Sequence, residues 1–371
     1  NLSFFCSHRL PIAEAAMRTS FHVVIGYGEQ GGVDPNMLKK KGYNVMHVPI
    51  QRGSIKILND LKSFFYIWRF FFKEKPDVVH LVTIKPYLYG GIVARLIGVP
   101  SLVSAVAGLG TLFINKDLKN RLLRLLTYPM FNLAFNHPNQ TIIFHNKDDA
   151  KEMIDWGVLK SDKIKIFRGS GVQLKNFITP KELDGVPIVC FVGRLLVEKG
   201  VYDFISAAEL LIKKGIQAQF LLAGDVDTQN PTGLNSNDIK KIKKDGFVKI
   251  LGYQKDIPKL FARSHIICLP SYREGFPKAL IEAAAASRAV ITTDVPGCRD
   301  AIIPDKTGLL VPPRNINALA NAIQDLIENS KKRENMGKEG RKLAEKKYSI
   351  ENIVQSHIKL YFDLNSNTKK T

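Results

Sequence analysis

The stretch Ser271-Tyr-Arg-Glu-Gly-Phe-Pro-Lys-Ala-Leu-Ile-Glu282 decides the fold of this 371-residue chain. An apolar run of strand length, His265-Ile-Ile-Cys-Leu-Pro270, precedes it, and Ala283-Ala-Ala-Ala286, a strong helix former, follows it. The stretch therefore predicts a strand, a loop and a helix, with Pro277 in the first helical turn, where its missing N–H costs nothing. The amino end of such a helix carries unpaired N–H groups that suit a phosphate.

Two carboxylates frame this predicted helix start, Glu274 in the loop and Glu282 about two turns into the helix. Eight residues of helical rise place them roughly 12 Å apart. That separation is too large for the two groups to share one proton or one metal ion. It fits a ligand that carries a phosphate between two hydroxylated groups, as a sugar nucleotide does.

Both halves of the chain alternate apolar strands with helices. This alternation predicts parallel sheets covered on both faces, and its repetition predicts an α/β architecture of two Rossmann-like domains, residues 1–178 and 179–348, facing a cleft. A last helix is expected over 349–364. The predicted strands are 21–25, 43–50, 78–84, 101–106, 141–144, 163–167, 188–192, 217–223, 248–251, 265–269, 289–293 and 309–311.

The net charge of +20 predicts an anionic partner. No nucleic-acid-binding module accompanies the charge, so a membrane surface is favoured over nucleic acid. A predicted helix over 55–75 contains the aromatic run Phe64-Phe-Tyr-Ile-Trp-Arg-Phe-Phe-Phe72. It is either a buried helix against the sheet or a segment that inserts partly into a membrane interface. The four cysteines lack metal-ligand spacing and predict buried thiols in a reducing cytoplasm.

Gly26-Tyr-Gly-Glu-Gln-Gly31 matches the glycine spacing of a dinucleotide-binding turn. We reject that interpretation because Gly32-Val-Asp-Pro-Asn36 is a poor start for a long helix. In addition, no acidic residue ends the next predicted strand to hold a ribose. An NAD-dependent oxidoreductase is nevertheless one alternative function, and a non-enzymatic basic membrane-binding protein is another. Asp225-Val-Asp227 is not interpreted as a metal-binding pair, because it follows a strand inside the second domain.

Six ordered segments of the C-terminal half resemble the retaining glycosyltransferases of family 4, which have the GT-B fold. The N-terminal half resembles a subgroup, N-acetylgalactosaminyltransferase-like, that extends polyprenyl-diphosphate-linked sugars in bacterial surface-glycan or protein-glycan synthesis. The C-terminal segments are the Glu274-x7-Glu282 stretch, Phe191–Leu195 with Glu198–Gly200, Leu222–Asp225, Leu251–Tyr253, Val295–Asp300 and Gly308–Pro313; the N-terminal ones are Ser7–Pro11, Thr83–Pro86 and Gly108–Gly110.

The resemblance implies a hexosyltransferase that moves a sugar, an N-acetylhexosamine, from a UDP-sugar to a polyprenyl-diphosphate-linked saccharide with retention. It implies no cofactor and no metal, and a peripheral position on the inner face of the plasma membrane. It also implies that the last helix crosses back to the first domain. A GT-B protein usually opens with a strand that here would end at Asn1-Leu-Ser-Phe-Phe5, so we expect the natural start to be missing.

The resemblance also assigns roles to residues. Arg194 and Lys199 clamp the diphosphate, Glu282 binds the ribose hydroxyls, and Glu274 lies near the transferred hexose. The expected catalytic residues are Glu274, Lys85, Arg194 and Lys199, and the remaining donor-binding residues are Gly275, Phe276, Pro277, Lys278, Ala279, Gly252 and Tyr253.

The acceptor side departs from the family, because Ala107-Gly108 stands where many members have a histidine. His8, Arg9, His80 and Lys85 are the polar residues near predicted strand ends that could replace it. Lys85 is favoured, because it stands at a strand end before Pro86. His80 is followed by apolar residues and fits a core histidine equally well.

Overall fold

The computed structural model describes residues 1–50, 57–109, 118–178, 181–227, 230 and 232–368. The chain forms two compact units. One contains Asn1–Ser170 and Glu351–Thr371, and the other contains Gly171–Ile350. The sequence-based boundaries stood at 178/179 and 348/349.

All the strand pairings of the first unit are parallel in the described residues. The strands β1 and β2 form one sheet, in which Ile25 is paired with Val45. The strands β3, β4, β5 and β6 form a second sheet in that order. The bounds are β1 Val24–Tyr27, β2 Asn44–His47, β3 Val78–Val82, β4 Ser101–Val106, β5 Gln140–Phe144 and β6 Ile164–Ile166.

Helices connect these strands through crossovers that are right-handed by rule and therefore return on one face of the sheet. A single core under this face contains Ile67, Phe71, Val93 and Phe131. The helices are α1 Leu2–His8, α2 Leu10–Arg18, α3 Pro35–Lys40, α4 Ile57–Glu74, a π-helical turn Pro86–Gly90 that continues as α5 Gly91–Leu96, α6 Leu118–Phe135 and α7 Lys147–Asp155.

Three expectations for this unit are wrong. The predicted strand end at residues 1–5 is part of helix α1. The apolar pattern of residues 7–20 predicts one helix, but the structure divides this region between α1 and α2 at Arg9. The sequence of residues 113–136 predicts a helical region broken near Pro129, but α6 continues through this residue to Phe135. Pro129 is exposed, so water can satisfy the carbonyl group that lacks a backbone N–H partner. The predicted helix starts at 55 and 113, and Gly110, lie outside the described residues.

The second unit contains one parallel sheet with the strand order β12-β11-β10-β7-β8-β9. Each residue of β10 and β11 is buried, which explains their continuous apolar sequences. The bounds are β7 Ile188–Val192, β8 Gln219–Ala223, β9 Lys249–Gly252, β10 Ile266–Leu269, β11 Ala289–Thr293 and β12 Gly308–Val311; the helices are α8 Val201–Lys213, α9 Ser236–Asp245, α10 Ile257–Arg263, α11 Lys278–Ala285, α12 Ile316–Glu328 and α13 Ser330–Lys347.

The last helix, α14 Ile350–Thr368, belongs to the first unit, which confirms the expected return of the chain. Asn139 donates a 2.9 Å hydrogen bond to the Leu364 carbonyl. Leu360 and Tyr361 pack with Ile12 of α2 on the face of the β3–β6 sheet opposite α4.

Cysteine placement agrees with the expectation of unpaired thiols. Cys190, Cys268 and Cys298 are buried and free, and Cys6 is half-buried. Burial raises the pKa of Cys190 and of Cys298 to about 12.

Candidate functional site

The order of strands in the second unit reverses at β7. From β7 the chain continues outward to β8 and β9 on one side, while β10 lies on the other side and pairs with β7 through Ile266 and Val189. In an open parallel sheet such a reversal creates a ligand-binding crevice at the carboxyl ends of the strands. The loops that follow β7 and β10 therefore occupy the part of the sheet best suited to a ligand.

Lys199, in the loop after β7, reaches Glu274, in the loop after β10. The Lys199 Nζ contacts the Glu274 Oε1, and the two side chains are only 20% and 10% exposed. The Ser271 hydroxyl donates a 2.8 Å hydrogen bond to the same carboxylate oxygen. The structure thus brings together Lys199 and Glu274, which the sequence had placed in the site. It also adds Ser271, which sequence reasoning missed, although its position three residues before Glu274 could have indicated the hydrogen bond.

Close backbone contacts hold these loops. A Cβ on Gly224, after β8, would lie 1.7 Å from the Gly193 carbonyl oxygen, after β7, so only glycine allows this approach. Gly224 also donates a 3.0 Å hydrogen bond to the carbonyl of Gly252, the last residue of β9. Gly297 has a φ of +78°, and its Cβ would lie 2.4 Å from the Glu274 carbonyl oxygen. These contacts fix the carboxyl ends of β7, β8 and β9 relative to one another, and likewise the loops after β10 and β11.

Helix α11 begins at Lys278, one residue later than predicted. Pro277 precedes it in an extended conformation, with φ −73° and ψ 118°, so Glu282 is the fifth helical residue and lies little more than one turn into the helix. The prediction that Pro277 stands in the first turn is wrong. The amino end of α11 follows directly on the Glu274 loop, where Phe276 packs edge-on against Tyr348 with 5.6 Å between ring centroids.

Glu282 is a buried carboxylate. Its Oε1 lies 3.5 Å from the Lys278 Nζ one turn earlier, and its side chain is 14% exposed. Burial raises the pKa of Glu282, while the Lys278 ammonium acts in the opposite direction. A buried carboxylate next to one ammonium group is suited to accept hydrogen bonds from hydroxyl groups. Tyr253, which follows β9, is 70% exposed.

Arg194 forms an ion pair that the sequence did not indicate. Its Nη1 lies 2.6 Å from the Asp227 Oδ2. Asp227 is the second aspartate of Asp225-Val-Asp227, the spacing typical of a metal-binding pair. This aspartate does lie at the candidate site, but its observed partner is the guanidinium of Arg194. Asp225 accepts a 3.0 Å hydrogen bond from the Val226 N–H and stabilises the turn.

In the first unit, Arg9 and His80 lie in one buried cluster, which also contains His145, His357 and Tyr361. The His80 Nδ1 is 2.6 Å from the Tyr361 hydroxyl. Among the described residues, Arg9 Nε and Nη1 and the Nε2 atoms of His80 and His357 are buried without a hydrogen-bond partner. Burial, together with the nearby charge of Arg9, lowers the pKa of His145 to about 4 and that of His357 to about 3.

The other two predicted acceptor-side residues have separate partners. The Lys85 Nζ lies 2.7 Å from the Asp60 Oδ1 of α4. Tyr89 also hydrogen-bonds Asp60, and burial together with that carboxylate raises the pKa of Tyr89 to about 12. His8 stacks on Phe4 with 4.2 Å between ring centroids.

Two Rossmann-like units, with Arg194, Lys199 and two carboxylates, Glu274 and Glu282, at the carboxyl edge of the second, define a GT-B glycosyltransferase. Among solved structures, sucrose-phosphate synthase from Thermosynechococcus elongatus has this fold, with a TM-score of 0.79 and 22% identity, over 96% of this chain and 92% of its own. The prediction of fold class is confirmed.

Sequence comparison identifies the family. The family model described as "Glycosyl transferases group 1" matches residues 175–343, and the one described as "Glycosyl transferase 4-like" matches residues 3–146. The N,N'-diacetylbacillosaminyl-diphospho-undecaprenol alpha-1,3-N-acetylgalactosaminyltransferase of Campylobacter jejuni is 32% identical over 87% of each chain. The UDP-Gal:alpha-D-GlcNAc-diphosphoundecaprenol alpha-1,3-galactosyltransferase of Escherichia coli is 28% identical over 74% of this chain and 73% of its own. The chain belongs to family 4 of the glycosyltransferases.

The oxidoreductase alternative has no support in the structure or the comparisons. Gly26 lies inside strand β1, and the first helix after Gly31 is the six-residue α3, capped by Asp34. The glycines therefore do not form the strand-to-helix turn that a dinucleotide requires. Family membership likewise argues against a purely membrane-binding, non-enzymatic protein.

Proposed function

We propose that this glycosyltransferase moves an N-acetylhexosamine from a UDP-sugar to a polyprenyl-diphosphate-linked saccharide, with retention, in bacterial surface-glycan or protein-glycan synthesis. The names of the Campylobacter jejuni and Escherichia coli relatives both specify an undecaprenyl-diphosphate-linked acceptor, and the second specifies a UDP-sugar donor. These names support the donor and acceptor classes.

The observation that carries the proposal is the contact between Lys199 and Glu274 beside the amino end of α11. Transfer breaks the bond between the anomeric carbon and a phosphate oxygen, so negative charge develops on the diphosphate. Arg194 and Lys199 supply two cations there, and the first N–H groups of α11 supply fixed dipoles. When the donor binds, the phosphates compete with Asp227 and Glu274 for these cations.

The remaining donor contacts follow from position. Glu282 accepts hydrogen bonds from the ribose hydroxyls, and Gly252 and Tyr253 contact the base. Glu274, released from Lys199, orients the hexose. The backbone of Gly275, Phe276, Pro277, Lys278 and Ala279 borders the phosphates.

The acceptor hydroxyl attacks from the face that the diphosphate leaves, and its proton passes to the departing phosphate oxygen. This route needs no protein nucleophile. Lys85 binds the acceptor diphosphate, which replaces Asp60 as its ion-pair partner. Arg9 and His80 shape the same region, and His8 lies at its edge. Removing charge from Lys85 should raise the KM for the lipid acceptor more than that for the donor.

The reaction should need neither a cofactor nor a metal, since Arg194 and Lys199 provide the charge that a divalent cation would supply. Transfer is therefore expected to continue in excess EDTA. In the described ranges, no helix combines the length and the apolar character needed to cross a bilayer. The proposed location is the cytoplasm, with peripheral attachment to the inner face of the plasma membrane, where a lipid-linked acceptor is presented.

The test is release of UDP from a panel of UDP-hexoses and UDP-N-acetylhexosamines, with and without a polyprenyl-diphosphate-linked sugar. We expect release that depends on one donor and on the lipid, and that Glu282→Ala abolishes. Glu328→Ala, on the exposed end of α12, is the matched control. UDP release that needs no acceptor would indicate an epimerase of the same fold and refute transfer.

A further inference from the structure

Helix α4 exposes a continuous apolar stripe, which consists of Leu58, Leu61, Phe65, Trp68 and Phe72. These residues are spaced alternately by three and four positions, so they fall within about 80° of arc on the helix. Leu58 is 81% exposed, Phe72 is 60% and Phe65 is 54%. Trp68 stacks between Phe65 and Phe72, with ring centroids 6.1 and 5.3 Å apart.

A cationic stripe runs beside this apolar stripe on the same exposed side. Lys62, Arg69 and Lys73 occupy the next arc of about 40° and are all exposed. Lys73 also lies 3.8 Å from the Glu74 carboxylate, at the helix end. The opposite side of α4 is buried through Ile67 and Phe71. The prediction of a buried helix is therefore confirmed for one side of α4. Insertion of the other side into a membrane interface stays a prediction.

Helix α6 repeats the arrangement. Leu118, Leu122, Leu125 and Leu126 are between 58% and 82% exposed, and Arg121 is exposed beside them. Both α4 and α6 pack on the segment 86–96, so the two helices lie on the same side of the sheet. We call the exposed apolar and basic residues of α4 and α6 the two-helix surface.

We propose that the two-helix surface docks the protein on an anionic phospholipid bilayer. An amphipathic helix lies in the plane of the membrane interface with its apolar face about 5–10 Å deep. Tryptophan is favoured at that depth, which suits Trp68. Each basic residue close to an anionic leaflet strengthens binding about fivefold, which suits the stripe formed by Lys62, Arg69 and Lys73.

Charge favours the bilayer over a second copy of the chain as the occupant. The alternating three- and four-residue spacing would also allow two copies of α4 to pair. Such a pair would place cationic stripes from both copies along one seam, where they repel each other. An anionic lipid surface neutralises the same charges. The inference rests on the proposed function only for the biological reason to dock on a membrane. Membrane binding itself can be tested with vesicles that contain neither sugar donor nor acceptor.

Fluorescence provides a direct test, because the chain has two tryptophans and only Trp68 lies on this surface. In a Trp156→Phe background, we expect vesicles of phosphatidylcholine with phosphatidylglycerol to shift Trp68 emission to the blue. Brominated acyl chains in these vesicles should quench it. Pure phosphatidylcholine vesicles should bind more weakly.

Variants separate the two stripes. Lys62→Gln, Arg69→Gln and Lys73→Gln together should weaken vesicle binding roughly a hundredfold. Phe65→Ser with Trp68→Ser, measured by sedimentation, should abolish it. The matched control replaces Lys240, Lys241 and Lys244, exposed on α9 of the other unit, by glutamine. The affinity for UDP should be unchanged in all these variants. Unchanged UDP binding would show that a loss of vesicle binding does not result from misfolding or from damage to the donor site.

Unchanged vesicle binding in the aromatic variant would overturn the proposal. A second result would also overturn it: the wild-type protein is a dimer in solution, the aromatic variant is a monomer, and vesicles bind neither. The apolar stripe would then pair two copies of the chain. Vesicle binding without any sugar transfer would support the surface and count against the proposed function alone.

Discussion

Acidification should destabilise the first unit through its buried histidines. His80, His145 and His357 lie near Arg9, and burial lowers all three pKa values, to about 4 for His145, to about 3 for His357 and well below the usual 6.5 for His80. In the unfolded chain each imidazole has a pKa of about 6.5. Below that pH the unfolded state binds more protons than the folded state, so stability is lost as the pH falls.

The magnitude follows from proton linkage. A histidine that stays neutral when folded lowers the free energy of unfolding by up to about 1.4 kcal/mol for each pH unit below about 6.5. Between about pH 6.5 and 5.5 the loss is about 1 kcal/mol for each residue and about 3 kcal/mol for the three together. The loss continues until the pH approaches the folded-state values.

Urea unfolding followed by tryptophan fluorescence measures this effect, since Trp68 and Trp156 both belong to the first unit. His357→Leu should remove at most about one third of the pH dependence, because His80 and His145 still titrate, and so does His137, whose pKa burial also lowers. His22→Gln, at an exposed position, is the control. Equal unfolding midpoints at about pH 7.5 and 5.5, or an unchanged slope in His357→Leu, would refute the linkage argument.

Three further predictions concern the second unit and the thiols. Lys199→Met should lower kcat by about 10²- to 10³-fold, whereas Lys213→Met, an exposed control, should not; equal kinetics would remove Lys199 from the mechanism. Gly224→Ala should lower the free energy of unfolding by at least about 1–3 kcal/mol, because its methyl group would overlap the Gly193 carbonyl, and a wild-type melting curve would contradict the close approach. A thiol reagent should modify Cys6 first and the three buried cysteines only after unfolding, as mass spectrometry of timed samples would show.

Much of the fold could be predicted from local patterns. Buried parallel strands such as β10 and β11 have continuous apolar sequences, and their alternation with helices predicted the α/β class and two Rossmann-like domains. The GT-B assignment came from the resemblance to the family. Capping and breaks at single residues were less predictable. Arg9 divides the first helix in two and Pro129 does not divide α6, because burial and solvent exposure, which depend on the whole fold, decide both outcomes.

The candidate donor site was predictable for a related reason. Parallel strands bring their carboxyl ends to one edge, so Lys199 and Glu274 met although they are far apart in sequence. Ion partners were not predictable. Asp227 could be singled out only as a metal-ligand pattern, and Asp60, on an aromatic helix 25 residues before Lys85, carried no signal.

The pairing of Asp60 with Lys85 has a consequence for regulation. Asp60 lies on the buried side of α4, whose outer side carries the apolar stripe, so one rigid helix connects the outer surface with the proposed acceptor lysine. If a ligand on the outer side and an anion at Lys85 favour different positions of α4, their binding equilibria are coupled, and the coupling free energy is the same in both directions. An effector on the outside and an anion on the inside would thus change each other's affinity, and a protein with Asp60→Asn should lose that cooperativity while retaining both binding events.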